Sequence, residues 1–194
     1  MKHSSLQIIR DEHAALAAML QSMQMMVRRG PGAHPQQFFE VLRAMLFYID
    51  EFPERLHHPK ESEYLFPRVL QAVPGLREVI AQLDAQHQEG ERMVHALQHH
   101  LQAWEFLGET RREGFTQACQ RFVDFYQAHM HLEETVVLPE AKRALSDADW
   151  AALDAAFALN RDPLGGQHPV EPLYERLFTH IVNEAPAPIG LGAA

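Results

Sequence analysis

The sequence predicts an all-α protein: an antiparallel up-down-up-down four-helix bundle with additional short C-terminal helices and an extended tail. Along four long segments, apolar residues recur at alternating steps of three and four, as on the buried face of an amphipathic helix. Strand signals are scarce, because the chain has few β-branched runs and no Asn-Gly hairpin turn. Glycine or proline separates the segments, and short connections between helices of similar length favour antiparallel neighbours.

The first and third segments each carry one uninterrupted apolar stripe. The first stripe consists of Leu6, Ile9, His13, Leu16, Leu20, Met23 and Val27, and the third of Leu83, His87, Gly90, Val94, Leu97, Leu101 and Trp104. Gly30-Pro31-Gly32 should end the first helix, and Gly108 the third, because glycine and proline interrupt helices.

The second and fourth stripes are longer and less regular. The second contains Phe39, Leu42, Leu46 and Ile49, should bend at Pro53, which has no backbone donor, and should resume through Leu56 to Leu65 and Leu70. The fourth contains Phe115, Cys119, Phe122, Tyr126, His129, Glu133, Val136 and Glu140.

The chain divides into residues 1–145, the four-helix bundle, and residues 146–194, a C-terminal helical extension and tail packing on the bundle. A fifth helix is expected from Ser146 to Leu159 and a sixth from Glu171 to Asn183. The Phe and Leu residues of 168–183 would serve either a homodimer contact or a cap on the bundle.

Composition argues against several classes of protein. The formal net charge is -9 without a Lys/Arg cluster, so neither nucleic acid nor a membrane surface is an expected partner. No apolar run approaches the roughly 20 residues of a membrane span, and the first residues lack the layout of a secretory signal. A single cysteine, Cys119, excludes an internal disulfide framework. The expected location is the cytoplasm.

Six residues on the apolar stripes are polar or charged, although these positions should be buried. They are His13, His57, Glu61, His87, His129 and Glu133. Each buried polar group without a partner costs about 1–3 kcal/mol, and a charge costs more. These side chains therefore need one another, or a metal ion.

A spacing of four residues recurs in His57/Glu61, His87/Glu91 and His129/Glu133, and it places both side chains on one helix face. The candidates fall early in the first and third helices and late in the second and fourth. In an up-down-up-down bundle these parts meet at one end, so the candidates should share one level. Imidazole and carboxylate without thiolate suit iron, manganese or zinc, and the number of donors favours two ions.

These residues resemble the hemerythrin-like (HHE cation-binding) domain family, in its bacterial form. The resemblance covers about residues 4–143 and rests on RDEHAAL around His13, HHPKESEYLFP around His57 and HMHLEETVVLPEA around His129. It implies a four-helix bundle around two carboxylate-bridged, non-haem iron ions, with zinc or manganese as substitutes, and a small diatomic molecule or peroxide as the bound ligand.

By position, the resemblance implies that His13 and His57 hold one iron and that His87 and His129 hold the other. Glu61 and Glu133 would bridge the two ions. Oxygen-carrying members have a further histidine where this chain has Glu91. A carboxylate there would lower the reduction potential, which favours sensing or peroxide handling over oxygen carriage. Glu91 is accordingly expected as a seventh ligand, and Gly90 would leave room beside the open position.

Other assignments stay open from the residues alone. His58 could replace His57, and Glu134 could mimic the final aspartate of oxygen carriers. A ferritin-like di-iron oxidase or peroxidase would use Glu54/His57, with Asp84/His87 imitating the second pair. A metal-free helical interaction protein is the third reading. The pattern is more typical of a protein that binds or senses O2, NO, peroxide or iron itself than of a dedicated enzyme.

Overall fold

The computed structural model describes residues 3–160, 162, 164, 172 and 174–192. Within these residues the regular elements are helical, apart from one isolated bridge between Pro186 and Gly192. The predicted all-α bundle is confirmed. No described helix is both long enough and apolar enough to cross a membrane.

Four long helical rods form the bundle. The first is α1 (Ser4–Arg29), and the third is α5 (Arg77–Leu107), which follows a 3-10 turn at Pro74–Leu76. The second rod, residues 35–72, consists of α2 (Pro35–Ile49), a π-helical segment (Asp50–His57), α3 (His58–Lys60), a second π segment (Glu61–Leu65) and α4 (Phe66–Ala72). The fourth rod, residues 112–144, follows a 3-10 turn at Glu109–Arg111 and consists of α6 (Arg112–Leu132), a third π segment (Glu133–Val137) and α7 (Leu138–Ala144).

Each rod packs against two others in a closed ring. The first rod contacts the second and fourth, and α5 contacts α2 and α6. Gly30 and Gly108 end α1 and α5 with φ of 76° and 83°, a region that favours glycine over other residues. The glycines therefore end both helices where the sequence predicts.

Two apolar clusters fill the bundle, and a polar layer separates them. The larger cluster contains Met19, Leu46 and Phe122, and the smaller contains Ile9, Val69 and Leu138, all buried. Between them lie the buried polar side chains His13, His57, His58, Glu61, His87, His129 and Glu133. The candidates share one level as expected, but this level is interior, with a core on either side.

The π segments follow from prolines. The residue before each of Pro59, Pro67 and Pro139 donates its N–H to the carbonyl five residues earlier, on Pro53, Glu61 and Glu133 respectively. A proline has no N–H, and its ring would clash with the carbonyl four residues earlier, so the helix widens by one residue.

The extra residue in each π segment shifts the buried face along the two rods. Leu56, expected in the second stripe, is exposed. In the fourth rod Val137 and Ala141 are buried instead of Val136 and Glu140. A stripe drawn with the α-helical period is therefore wrong at these positions.

The C-terminal extension packs on the bundle. A capping box formed by Ser146 and Asp149 starts α8 (Asp147–Phe157), which lies against α1. α9 (Glu175–Glu184) packs on α2, with Phe178 and Ile181 buried in the larger cluster. The predicted sixth helix thus begins later than Glu171, and residues 171 and 173 lie outside the described part of the chain. The tail returns to α1, where the buried Ser22 hydroxyl donates to the Pro186 carbonyl at 2.8 Å.

Candidate metal centre

The polar layer contains two groups of side chains whose ligand-type atoms lie within 4.8 Å of one another. The first group is His13, His57, Glu61 and Glu133, and the second is His58, Glu61, His87 and His129. All seven residues are buried. Each of the four rods contributes, so the groups exist only when the bundle is closed.

Both buried carboxylates span the two groups. Oε1 of Glu61 lies 2.9 Å from His57 Nε2, and its Oε2 lies 3.4 Å from His87 Nε2. Oε2 of Glu133 lies 3.4 Å from His13 Nε2 and 3.9 Å from His129 Nε2. A carboxylate placed in this way can hold two cations at once.

The outer nitrogen of each histidine has a hydrogen-bond partner. The distances from Nδ1 are 2.9 Å for His13 to Glu134, 2.5 Å for His57 to Glu12, 3.0 Å for His58 to Glu54, 3.1 Å for His87 to Ser62 and 3.0 Å for His129 to Gln86. Carboxylate and amide oxygens accept, and Ser62 also accepts because its own proton goes to Asp84 at 2.6 Å. Each Nδ1 therefore carries a proton. The lone pair of Nε2 is then the one that can bind a metal ion.

Seven inner atoms of the layer are buried without hydrogen-bond partners. They are Nε2 of His57, His87 and His129 and both oxygens of Glu61 and Glu133. The 2.9 Å contact between His57 and Glu61 lacks the alignment of a hydrogen bond. Each unsatisfied buried group costs about 1–3 kcal/mol, so a cluster of seven such atoms is explained by a cation among them. Nitrogen and oxygen donors without a thiolate fit iron, manganese or zinc.

The electrostatics of the two carboxylates agree with this fit. Burial raises the pKa of Glu133 to about 7, and the charge of Glu61 adds to the rise. Burial alone would raise the pKa of Glu61, but His57 and His87 hold it well below its usual value. Glu133 is thus pushed towards the neutral form because it is buried beside a second carboxylate, and a metal cation between the two would offset this repulsion.

Aromatic stacking fixes the imidazoles of the second group. The His58 ring stacks on His87 with centroids 4.2 Å apart and on Tyr126 at 5.9 Å, and His87 stacks on Phe66 at 5.5 Å. The Tyr126 hydroxyl donates to Glu54, which in turn accepts from His58. Ring packing and hydrogen bonds together hold His58 in one orientation.

Gly90 lies beside this tyrosine and leaves no room for a ligand. A Cβ at residue 90 would overlap the Tyr126 hydroxyl and lie 3.1 Å from Glu54 Oε1. The absent side chain accommodates the hydrogen bond between Tyr126 and Glu54. The expectation that Gly90 opens space beside a coordination position is therefore wrong.

The structure brings together six of the seven expected ligands, while Glu91 is outside both groups with an exposed side chain. His58 takes the place expected of Glu91. The physical reason is the π segment ending at His57, which turns two consecutive histidines inwards. A proline inside the helix followed by His-His-Pro is the sequence signal for this arrangement.

The residues of the alternative assignments have other roles in the structure. Glu54 and Asp84 lie outside both groups and act through hydrogen bonds to His58 and Ser62, unlike ligands of a ferritin-like pair. Glu134 holds the outer nitrogen of His13. Cys119 is buried in the larger apolar cluster, away from the layer.

The comparison with known families agrees with this site. The family model described as the hemerythrin HHE cation binding domain matches residues 4–141, and the match includes all seven side chains of the two groups. No curated protein is similar enough to this chain to be matched with it. The buried His/Glu groups and the family match lead to the same conclusion: the chain belongs to the hemerythrin HHE cation-binding domain family.

Proposed function

We propose that this chain is a non-haem di-iron protein that binds or senses a small molecule such as O2, NO or peroxide. One observation carries the proposal: two buried groups of donors share Glu61, and seven of their inner nitrogen and oxygen atoms have no hydrogen-bond partner. Two carboxylates that each span both groups support a pair of ions rather than one.

The donor set suits iron better than metals that prefer either oxygen ligands alone or thiolate ligands. Five imidazoles and two carboxylates are of the type that iron, manganese and zinc share, and the chain's one thiol is elsewhere. When bound, a pair of iron ions would supply one-electron redox chemistry and a coordination position for an external ligand. Zinc or manganese would occupy the same donors as substitutes.

The chain's own residues would fix the donors in place. Hydrogen bonds at every Nδ1 keep the imidazoles in one tautomer and orientation, as partners of metal-bound histidines generally do. The apolar clusters cover the layer towards both ends of the bundle. A preformed site with apolar surroundings suits a small uncharged molecule.

A small cavity beside the first group supports a ligand of diatomic size. Its volume is about 10 Å³, and its apolar lining includes Leu16, Phe52 and Met130 next to His13 and His57. A space of this size admits about one water-sized molecule. The first group also has two imidazoles where the second has three, so we place the external ligand on this side.

The argument for a lowered reduction potential rested on Glu91 as a ligand. Because His58 lies in the second group and Glu91 does not, the described residues place no third carboxylate among the donors. Reversible oxygen binding is therefore as compatible with the donor set as sensing is.

Metal content tests the di-iron proposal. Protein loaded anaerobically with ferrous iron should hold about two iron ions per chain, and His58→Ala should hold about one, since losing one imidazole disrupts one group. His99→Ala, at an exposed position outside both groups, is the matched control and should keep the wild-type content. Wild-type protein that takes up no iron would overturn the proposal.

Spectroscopy of the ferrous protein tests the small-molecule proposal. Optical and Mössbauer spectra should change on addition of O2 or NO, and a stable, reversible change with O2 would support carriage. Immediate irreversible oxidation would support sensing or peroxide chemistry. Iron spectra that none of O2, NO and peroxide alters would contradict the proposal, and peroxide turnover at many equivalents per site would favour an enzyme instead.

A further inference from the structure

The second ligand group lies beneath an acidic opening in the protein surface, which we call the acidic mouth. Its volume is about 350 Å³, and it is lined by Glu54, Pro59, Ser62, Asp84, Gln88 and Glu91 together with His58 and His87. Among the described lining side chains, three are carboxylic acids and none is Lys or Arg. The opening thus joins solvent to two members of the ligand group.

Polar groups follow one another from the rim of the mouth to the ligands. Glu91 is exposed, Asp84 is half-buried, and Asp84 accepts a hydrogen bond from Ser62, which lies 3.1 Å from His87. His87 is only 8% exposed, yet its Nε2 has no hydrogen-bond partner. His87 thus lies between the acidic opening and the second group, and its unpartnered Nε2 can bind a cation that enters through the mouth.

The cavity beside the first group is a narrower approach. Its volume is about 10 Å³, against about 350 Å³ for the acidic mouth, and its lining combines apolar side chains with two carboxylic acids, Glu12 and Asp162. A hydrated divalent ion is larger than one water molecule, so the mouth admits it more readily, and Glu91 and Asp84 attract it.

We propose that the acidic mouth is the path by which divalent metal ions reach the site, with Glu91 and Asp84 binding the hydrated ion before it passes to His87 and His58. This inference rests on the proposed function, because it presupposes a metal site. It gives Glu91 a role in the rate of loading rather than in the final ligand set.

The rate of metal uptake tests this path directly. Metal-free full-length protein would be mixed with Co2+ in a stopped-flow instrument, and the cobalt absorption bands would give the association rate constant and the final stoichiometry. Glu91→Gln should load roughly threefold to tenfold more slowly at low ionic strength, since it removes one charge facing a doubly charged ion. Glu91→Arg should be slower still, and high salt should reduce both differences.

Glu89→Gln is the matched control. Glu89 is also an exposed carboxylate of α5, it pairs with Arg92 at 2.6 Å, and it does not line the mouth. The substitution makes the same change in net charge, so a wild-type loading rate in this variant would show that the position of Glu91 matters.

The possible outcomes separate the two proposals. Slow loading of Glu91→Gln with unchanged stoichiometry supports the path, whereas equal rates for Glu91→Gln and Glu89→Gln overturn it. A lower stoichiometry in Glu91→Gln would also overturn it, because Glu91 would then be a ligand. If the wild-type protein binds no metal at all, the proposed function fails as well.

Discussion

At the scale of single residues, the partners of the inner side chains matter as much as the donors themselves. Glu54 shows this, since it joins Tyr126 to His58 without being a member of either group. Burial raises its pKa to about 8, with Glu91 acting in the same direction and the Tyr126 hydroxyl acting against it. The hydrogen bonds of Glu54 with Tyr126 and His58 therefore need space between the helices, and Gly90 provides it.

Gly90→Ala should destabilise the protein by about 1–3 kcal/mol, because the added methyl group overlaps the Tyr126 hydroxyl and forces its ring to move. Urea unfolding of metal-free protein would measure the loss. Combining the substitution with Tyr126→Phe should cost less than the sum of the two single changes.

Gly114→Ala serves as the control for this prediction. Gly114 is an exposed helical glycine whose nearest neighbour to an added Cβ is His100 at 3.8 Å. Alanine there should leave stability unchanged or raise it by up to about 1 kcal/mol, as expected for an open helical position. Equal effects at residues 90 and 114 would refute the steric argument.

Asp162 makes stability depend on pH. It is buried, it accepts hydrogen bonds from the Tyr48 hydroxyl at 2.7 Å and from the Leu164 N–H at 2.9 Å, and burial raises its pKa to about 6. Above pH 6 the folded protein carries the ionised form at a cost, and this cost falls as the pH drops from 6 towards the unfolded pKa near 4. Asp162→Asn should therefore stabilise metal-free protein by about 1–3 kcal/mol at pH 7.5, and by roughly half as much at pH 5.

Denaturant unfolding at the two pH values measures this change, and Asp154→Asn is the control of opposite sign. Although burial acts to raise the pKa of Asp154, hydrogen bonds from the Ser5 N–H and hydroxyl lower it. Its ionised form stabilises the fold, so Asp154→Asn should destabilise, and less so as the pH falls through the lowered pKa. A pH-independent effect at residue 162 would rule out the burial argument.

At the scale of helical elements, the π segments place the ligands. The carbonyls of Glu61 and Glu133 both accept the five-residue hydrogen bond, and in both rods a proline follows six residues after the glutamate. A π-helical segment followed by a proline thus occurs at both carboxylates that span the two groups.

Pro139→Ala should weaken metal binding by roughly tenfold, the usual scale for groups that orient a ligand. Alanine restores the N–H that a regular α-helix needs and removes the clash, so the π segment can revert and rotate Glu133. Metal titration would measure affinity, and circular dichroism would confirm that the helices remain.

Pro35→Ala is the control, because Pro35 is the first residue of α2 and no π segment precedes it. Its metal affinity should match that of wild type. If Pro139→Ala also binds metal as tightly as wild type, the π segment does not depend on the proline.

At the scale of the whole molecule, the C-terminal extension completes the surroundings of the site. Asn160 lies beyond the residues that the family model matches, yet it donates to Glu12, the partner of His57. The extension therefore contributes to the metal layer as well as covering the bundle.

Asn160→Ala should lower metal affinity by roughly tenfold, because Glu12 loses a donor and holds His57 less firmly. Competition with a chelator would measure the change. Asn183→Ala, at an exposed position on α9, should leave affinity unchanged. Wild-type affinity in Asn160→Ala would show that the extension does not influence the site.

The sequence by itself determined the first and third apolar stripes, the second and fourth up to their π segments, and the common level of the polar residues. These properties follow from local periodicity and from the order of the helices along the chain, and all six polar residues of the stripes lie in the two groups. The first and third stripes are buried as predicted, because α1 and α5 keep the α-helical period throughout.

Only the tertiary structure decided which histidine joins the second group and where Glu91 lies. The choice depends on helix phase, and the π segments shift this phase by amounts that a stripe with a fixed period cannot represent. The partners of the histidines are also long-range, as in the bond between His57 and Glu12 or between His129 and Gln86. Such contacts depend on how complete helices pack, which no local pattern of residues specifies.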